Sequence, residues 1–358
     1  ETPVDEVTIG DEKQLRDVLK PYRLLFRGND EFKGTVSTSA LDDIYKQLAT
    51  LESESVELIN SNLSDEKLNE MLRVNNRLTM FFSAEVPMQL FPAVVNFKET
   101  ELPGISFDRL ILDWGNVEKS KNLQLLFVNS HTRKLYRSYM KLSNVRQFTE
   151  TVLQPIKNYN LYMEIERTGL QSLYVVKDSI ESVQYTYFID EISPDLFKNV
   201  LFPKPSIVER NVESIQSEKF TDGTSLMTVD SQNRILNYVY PAAESIEPIE
   251  ASKLLRDSFN YLNDHGGITA DYRFASMNLG KHVVDYQLYL QGFPVHSSLT
   301  TTRITTTWGD NRIFRYRRPY YALNYDVTNE KTIKEKLFTV FSSYYAYVLL
   351  GMGSSSEG

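Results

Sequence analysis

Apolar positions recur along this chain with two periods, and the switches between them set the predicted elements. "YRLLFR" and "KGTVST" read as short strands. Leu41, Ile44, Leu48 and Leu51 then recur at the 3, 4, 3 spacing of one buried helix face, with Ser39 as the predicted N-cap. "SVELINS" predicts a strand, and Ser64 followed by Asp65 and Glu66 predicts a helix with acids at its positive end. "FDRLILDW", "NLQLLFVN" and "RKLYRSYMKL" predict an antiparallel meander. Ser143 opens a helix through Val145, Phe148, Val152 and Ile156, bent near its end by Pro155.

From Tyr162 onward the period is mostly two. "YMEIER", "SLYVVK" and "VQYTYFID" read as strands, "PDLFKNVLF" as a short helix and "SLMTVDSQNRILNYVYP" as a two-stranded ribbon. After the linker "AAESIEPIEA", Leu255, Phe259 and Leu262 predict a helix stopped at "HGG", where Gly266 supplies the left-handed residue and His265 sits near the negative helix end. Strands over "YRFASM", "VDYQLYLQGFPV", "TTTRITTTWG" and "NRIFRYRR" precede a last predicted helix carrying Ile333, Leu337, Val340, Phe341, Tyr344 and Val348. The pattern gives an α+β fold with mainly antiparallel sheets and packed helices, in three domains at 1–158, 159–245 and 246–358. "NRILNYVYP" (Asn233 to Pro241) and "NRIFRYRRP" (Asn311 to Pro319) agree at five of nine positions, 78 residues apart, which points to an internal repeat relating the last two domains.

Charge narrows the function. Six acids against three bases in the first twenty residues predict a solvated opening helix ended by Pro21. The whole chain carries 47 acids and 39 bases, a net charge of -8, which disfavours general nucleic-acid binding because that rests on cations neutralising phosphates. Four arginines nevertheless crowd positions 312 to 318. Period two puts Arg312, Phe314, Tyr316 and Arg318 on one face and Ile313, Arg315 and Arg317 on the other, so Phe314 and Tyr316 are expected to be buried and Arg315 and Arg317 to project to water. With Tyr320, Tyr321 and Tyr325, these two arginines are the candidate contact residues.

Candidate chemistry is sparse. The absence of cysteine removes disulfides, thiolate catalysis and cysteine-based zinc sites. His131, His265, His282 and His296 show no helical metal-ligand spacing, so neither metal nor cofactor is expected. "SDEK" at Ser64, "SKN" at Ser120 and "RTG" at Arg167 stand in the order of penicillin-type serine enzymes. Acylation would need a desolvated lysine, whereas Lys67 has Asp65, Glu66 and Glu70 for neighbours, so Ser64 reads as a helix cap and the chain as a non-enzyme.

"FNYLNDHGG", "DYQLYLQGFPV" and "TTWGDNRIFRYRR" together resemble the YycH family of membrane-anchored regulators encoded with the WalK/WalR (YycG/YycF) cell-wall two-component system. Weaker likeness extends back through "FDRLILD" and "GTVST". The resemblance implies an extracytoplasmic domain held at the cell membrane by an N-terminal transmembrane helix absent from this chain. It also implies a YycI-like partner and an effect on the sensor kinase WalK, with no nucleic acid involved. Family members continue past the last helix into further strands, whereas this chain ends in "GMGSSSEG", so the final domain is expected to be truncated. Two alternatives stand beside this reading: an extracellular sensor holding a small ligand in a groove between repeated domains, and the serine hydrolase.

Overall fold

The computed structural model describes residues 9–10, 12–177, 184–298, 300–324 and 336–341. Among the described residues two compact units emerge where three domains were expected, one built mainly from 20–177 and the other mainly from 185–290 and 294–324. Strand pairing runs across both expected boundaries.

The first unit is built on an eleven-stranded sheet. Its strands are β1 (Arg23–Gly28), β2 (Glu31–Thr35), β3 (Glu52–Ser53), β4 (Glu57–Asn60), β5 (Arg77–Pro87), β6 (Asn96–Phe97), β7 (Ser106–Asp113), β8 (Asn122–Asn129), β9 (Lys134–Lys141), β10 (Asn160–Ile165) and β11 (Leu173–Val176). The spatial order is β11-β10-β2-β1-β5-β7-β8-β9-β3-β6, with β4 also on β9. The predicted meander is present as β7, β8 and β9. Just past the boundary expected at 158, β10 pairs with β2, which seats Tyr162 in the same apolar cluster as Phe32.

Leu125, Leu126, Phe127 and Val128 are all buried, as expected of a strand covered on both faces. One cover is the helix Asp65–Leu72, whose Leu68, Met71 and Leu72 pack with Leu25, Ile111, Leu126 and Val128. Ser64 caps it by accepting from the Lys67 amide at 3.0 Å. The helix Thr38–Ala49 buries Leu41, Ile44 and Leu48, but its cap is Ser37, which accepts from the Ala40 amide, two residues before the expected Ser39. Likewise Asn144, not Ser143, caps the helix that begins at Val145.

The second unit is dominated by a nine-stranded antiparallel sheet. Here β12 is Gln184–Glu191, and the large sheet comprises β13 (Glu209–Ser214), β14 (Ser217–Thr221), β15 (Leu226–Asp230), β16 (Ile235–Val239), β17 (Tyr272–Asn278), β18 (Val283–Leu290), β19 (Phe293–Pro294), β20 (Arg303–Trp308) and β21 (Ile313–Pro319). The order is β13-β14-β15-β16-β21-β20-β18-β17, so one sheet runs across the boundary expected near 245. The two similar segments lie side by side as β16 and β21, with Tyr238 opposite Tyr316. Inner-face residues Phe220, Met227, Tyr238, Tyr316, Thr306 and Val284 form one row across six strands, each at most 1% exposed. Over this face lies the helix Ala251–Asp264, which buries Leu254, Leu255, Phe259 and Leu262. Its Ser258 hydroxyl bonds the Tyr286 hydroxyl at 2.9 Å and the Thr306 hydroxyl at 2.5 Å, satisfying three polar groups inside the core.

That helix stops at His265 and Gly266 as predicted. Gly266 has φ 110°, and an added Cβ would lie 3.2 Å from Phe197, so backbone and packing both demand glycine. His265 stacks on Tyr261 at 3.9 Å and bonds the Tyr261 carbonyl through Nδ1. Burial holds its pKa below the ordinary value, against the opposing pull of that carbonyl and of Asp264.

The opening helix is only Leu15–Val18, and Val18 and Leu19 are buried rather than solvated. Asn263 ties this segment to the second unit, accepting from the Lys13 amide at 3.1 Å and donating to the Lys13 carbonyl at 2.8 Å. The last predicted helix is replaced over Lys336–Phe341 by strand β23, which forms a three-stranded sheet with β12 and β22 (Tyr321–Asn324). "KLFTVF" combines β-branched and aromatic residues, and six residues are too few for apolar spacing to separate helix from strand. Ile333, Tyr344 and Val348 lie outside the described residues.

Arg318 is the largest departure from surface expectations, with no exposure at all. Its Nη1 donates to the Tyr316 hydroxyl at 2.7 Å and the Gly267 carbonyl at 2.9 Å, its Nε donates to the Pro319 carbonyl, and its guanidinium lies over the Phe197 ring at 4.9 Å. Arg318→Met removes the donor from the Tyr316 hydroxyl and from the Gly267 and Pro319 carbonyls and is expected to cost about 2–3 kcal/mol in urea unfolding. Arg315→Gln on the other face should stay within about 0.5 kcal/mol, and equal effects would contradict the burial of Arg318. Because the folded pKa of His265 is depressed, the unfolded chain takes up its proton first as pH falls below about 6.5, so stability from this group is present above that pH and lost below it. The urea midpoint of His265→Gln should therefore fall less between pH 7 and pH 5 than that of the parent; parallel falls would contradict it.

Candidate interaction surface

Antiparallel register determines what the second unit shows to water. Asn211, Lys219, Thr228, Asn237, Arg317, Thr305, Asp285 and Ser276 are successive cross-strand partners, and all eight are polar. None is buried. This row is the solvated counterpart of the aromatic row on the inner face, since neighbouring residues on a strand point to opposite sides. Arg317 stands in the middle and Arg315 follows it two positions away on the same face, opposite Val239 and Thr307.

Both arginines are exposed, as their alternation predicts, and among the described residues neither makes an ion pair. Arg315 lies 5.3 Å from the Phe314 ring centre. Other charges on this face are neutralised locally: Lys219 bonds Glu213, and Arg303 faces Asp285 at 3.7 Å. Two cations thus remain uncompensated at the centre of the face, in a chain whose net charge is -8.

Tyr316 is buried as expected, but Phe314 is only half-buried because a register shift between Thr307 and Trp308 inserts an extra residue and turns Ile313 inward instead. Tyr320 and Tyr321 are corrections, for both are buried where contact residues were expected. They occupy the passage from β21 into β22, where their hydroxyls donate to the carbonyls of Asp230 and Thr301 and their rings serve packing. Tyr325 lies outside the described residues.

A second feature escaped the alternation pattern. A cleft of about 480 Å³ opens beside the helix Ala251–Asp264 and is lined by Tyr238, Tyr261, His265, Trp308, Arg312 and Ile313, with Asp257 and Asp264 at its polar side. Tyr261 packs edge-on against Tyr316 at 5.2 Å and Trp308 at 6.3 Å, while Arg312 covers the Tyr240 ring at 3.5 Å. Asp257, Tyr261 and Asp264 stand at i, i+4 and i+7, so one helix stripe carried the signal.

The serine-enzyme elements are each occupied locally. Ser64 caps its helix, Lys67 is exposed beside Glu70 at 3.8 Å, and the Ser120 hydroxyl donates to the Asn116 carbonyl at 2.9 Å. Among the described residues there is no cluster of three metal-ligating side chains, and no helix is long and apolar enough to cross a membrane.

Two family models cover nearly all of the sequence, "YycH protein, N-terminal domain" over residues 1–160 and "YycH protein, C-terminal domain" over 170–347. A curated relative from Bacillus subtilis (strain 168), "Two-component system WalR/WalK regulatory protein YycH", is 23% identical over 257 residues, covering 69% of this chain and 55% of that protein. The match thus spans little more than half the relative's length. The crystal structure of YycH from Bacillus subtilis superposes with a TM-score of 0.79 at 16% identity, covering 98% of this chain and 90% of the other. The α+β architecture, with its large antiparallel sheets, is shared with that structure, and the chain belongs to the YycH family.

Proposed function

We propose that this chain is a non-enzymatic regulatory domain of a WalK/WalR two-component system. It acts on the extracytoplasmic side of the cell membrane, where it modulates the sensor kinase WalK through protein contacts made together with a YycI-like regulator. Support comes from membership in a family whose Bacillus subtilis relative is named a WalR/WalK regulatory protein. The observation that carries the contact reading is that Arg315 and Arg317, at the centre of the solvated sheet face, make no ion pair among the described residues. Exposed guanidinium groups without internal partners are free to form bidentate pairs with carboxylates of a protein partner. A non-enzymatic role agrees with the local engagement of Ser64, Lys67 and Ser120. An N-terminal membrane helix ahead of this chain would hold the domain beside its partners.

The experiment is co-purification of the membrane-anchored protein with WalK and the YycI-like regulator, comparing the parent with Arg315→Glu/Arg317→Glu and with a swapped anchor. Charge reversal is expected to weaken capture at least about tenfold without lowering the melting midpoint, as befits surface residues. Undiminished capture by the charge-reversed protein, together with complete loss on swapping the anchor, would move the contact into the bilayer and overturn the role of this face.

A further inference from the structure

A depression of about 360 Å³ opens at one end of the arginine face, and Arg303, Arg317, His296 and Thr301 are among its lining residues. Serine and threonine hydroxyls make up half of that lining, and it includes no carboxylate. In a chain with 47 acids against 39 bases, such a composition is selective. Arg303 is also held in place from behind. Gln287 is buried, and its Oε1 accepts from Arg303 Nε at 3.0 Å while its Nε2 donates to the Val295 carbonyl at 2.5 Å and to the Thr302 hydroxyl at 3.2 Å. One amide thereby fixes both the loop wall and the Arg303 guanidinium. The Thr301 hydroxyl accepts from the Arg303 amide at 3.3 Å and donates to the Arg303 carbonyl at 3.4 Å, while the Thr301 carbonyl accepts from the Tyr321 hydroxyl at 3.0 Å. Asp285, facing Arg303 at 3.7 Å, offsets part of the positive charge but stands outside the lining.

We propose that this depression is a binding site for a phosphate group, held by the forked guanidinium groups of Arg317 and Arg303 with an exposed lining hydroxyl such as that of Ser298 on the remaining oxygens. Two guanidinium forks plus hydroxyls present more donors than the two oxygens of a carboxylate can use, and they suit the three or four oxygens of a phosphate. The inference shares Arg317 with the partner contacts proposed above, and a phosphate titration of the isolated chain reads it without any partner present. A free phosphate and a phospholipid headgroup would present the same chemistry to these groups.

Titration of the 358-residue chain with inorganic phosphate, followed by NMR, tests it. Saturable shifts are expected to centre on the amides of Thr301, Arg303 and Arg317, with acetate at least about tenfold weaker. Arg317→Gln should weaken phosphate binding at least about tenfold, while Arg315→Gln, two residues along the same face but outside the depression, should leave it within about twofold. Asp285→Asn should tighten it. Sedimentation with phosphatidylglycerol and with phosphatidylcholine vesicles separates the sources: Arg317-dependent binding to the first alone marks a headgroup, whereas binding to neither alongside phosphate saturation marks a free phosphate. Absence of saturable shifts, equal response to acetate, or equal loss from both arginine variants would overturn the site.

Discussion

The pairing of Ile235–Val239 with Ile313–Pro319 is the contact on which the second unit depends. It joins a four-stranded antiparallel ribbon to the strands that follow the helix Ala251–Asp264, and it makes one sheet from stretches far apart in sequence. Tyr238 and Tyr316 meet across the join with essentially no exposure, so each ring completes the apolar surface under the other. Tyr316 also accepts from the buried Arg318, which in turn bonds the carbonyl of Gly267 just past the helix end. A single strand alternation thus fixes the sheet join, the seat of the helix terminus and the outward direction of Arg315 and Arg317.

Much of this was legible because period two is a local property. The outward arginines, inward Tyr316, the meander of the first unit and the helix ended by "HGG" all followed from residue spacing. Long-range pairing was not legible. Nothing local in the sequence places β10 beside β2 or β16 beside β21, the pairings that seat Tyr162 and Tyr238. Alternation also fails wherever one residue is inserted, which is how Ile313 took the inward place expected for Phe314. Tyr320 and Tyr321 carry polar tips and so resembled contact residues, but each tip finds a backbone carbonyl and each ring is enclosed. Helix caps were misplaced by one or two residues because Ser37, Ser39, Ser143 and Asn144 all have capping chemistry, and only geometry chooses among them.

The two faces of the large sheet divide the work. Aromatic and aliphatic burial on the inner face holds the unit together, leaving the outer face free to carry polar residues with little effect on stability. Most of its charges are balanced by neighbours, which makes the uncompensated arginines the points of greatest attraction for an anionic group. Ser64, Ser120 and His265 are engaged locally, in capping, in a turn and in packing.

Hydrogen exchange resolved to single amides tests the one-sheet account most directly, because the join between Ile235–Val239 and Ile313–Pro319 must open as a unit if it is the centre of a continuous core. The expected result is that the amides of these two strands exchange slowly, with matching opening free energies and equal response to urea. Distinct opening free energies, with Ile235–Val239 released alongside a separate middle domain while Ile313–Pro319 remained protected, would contradict it.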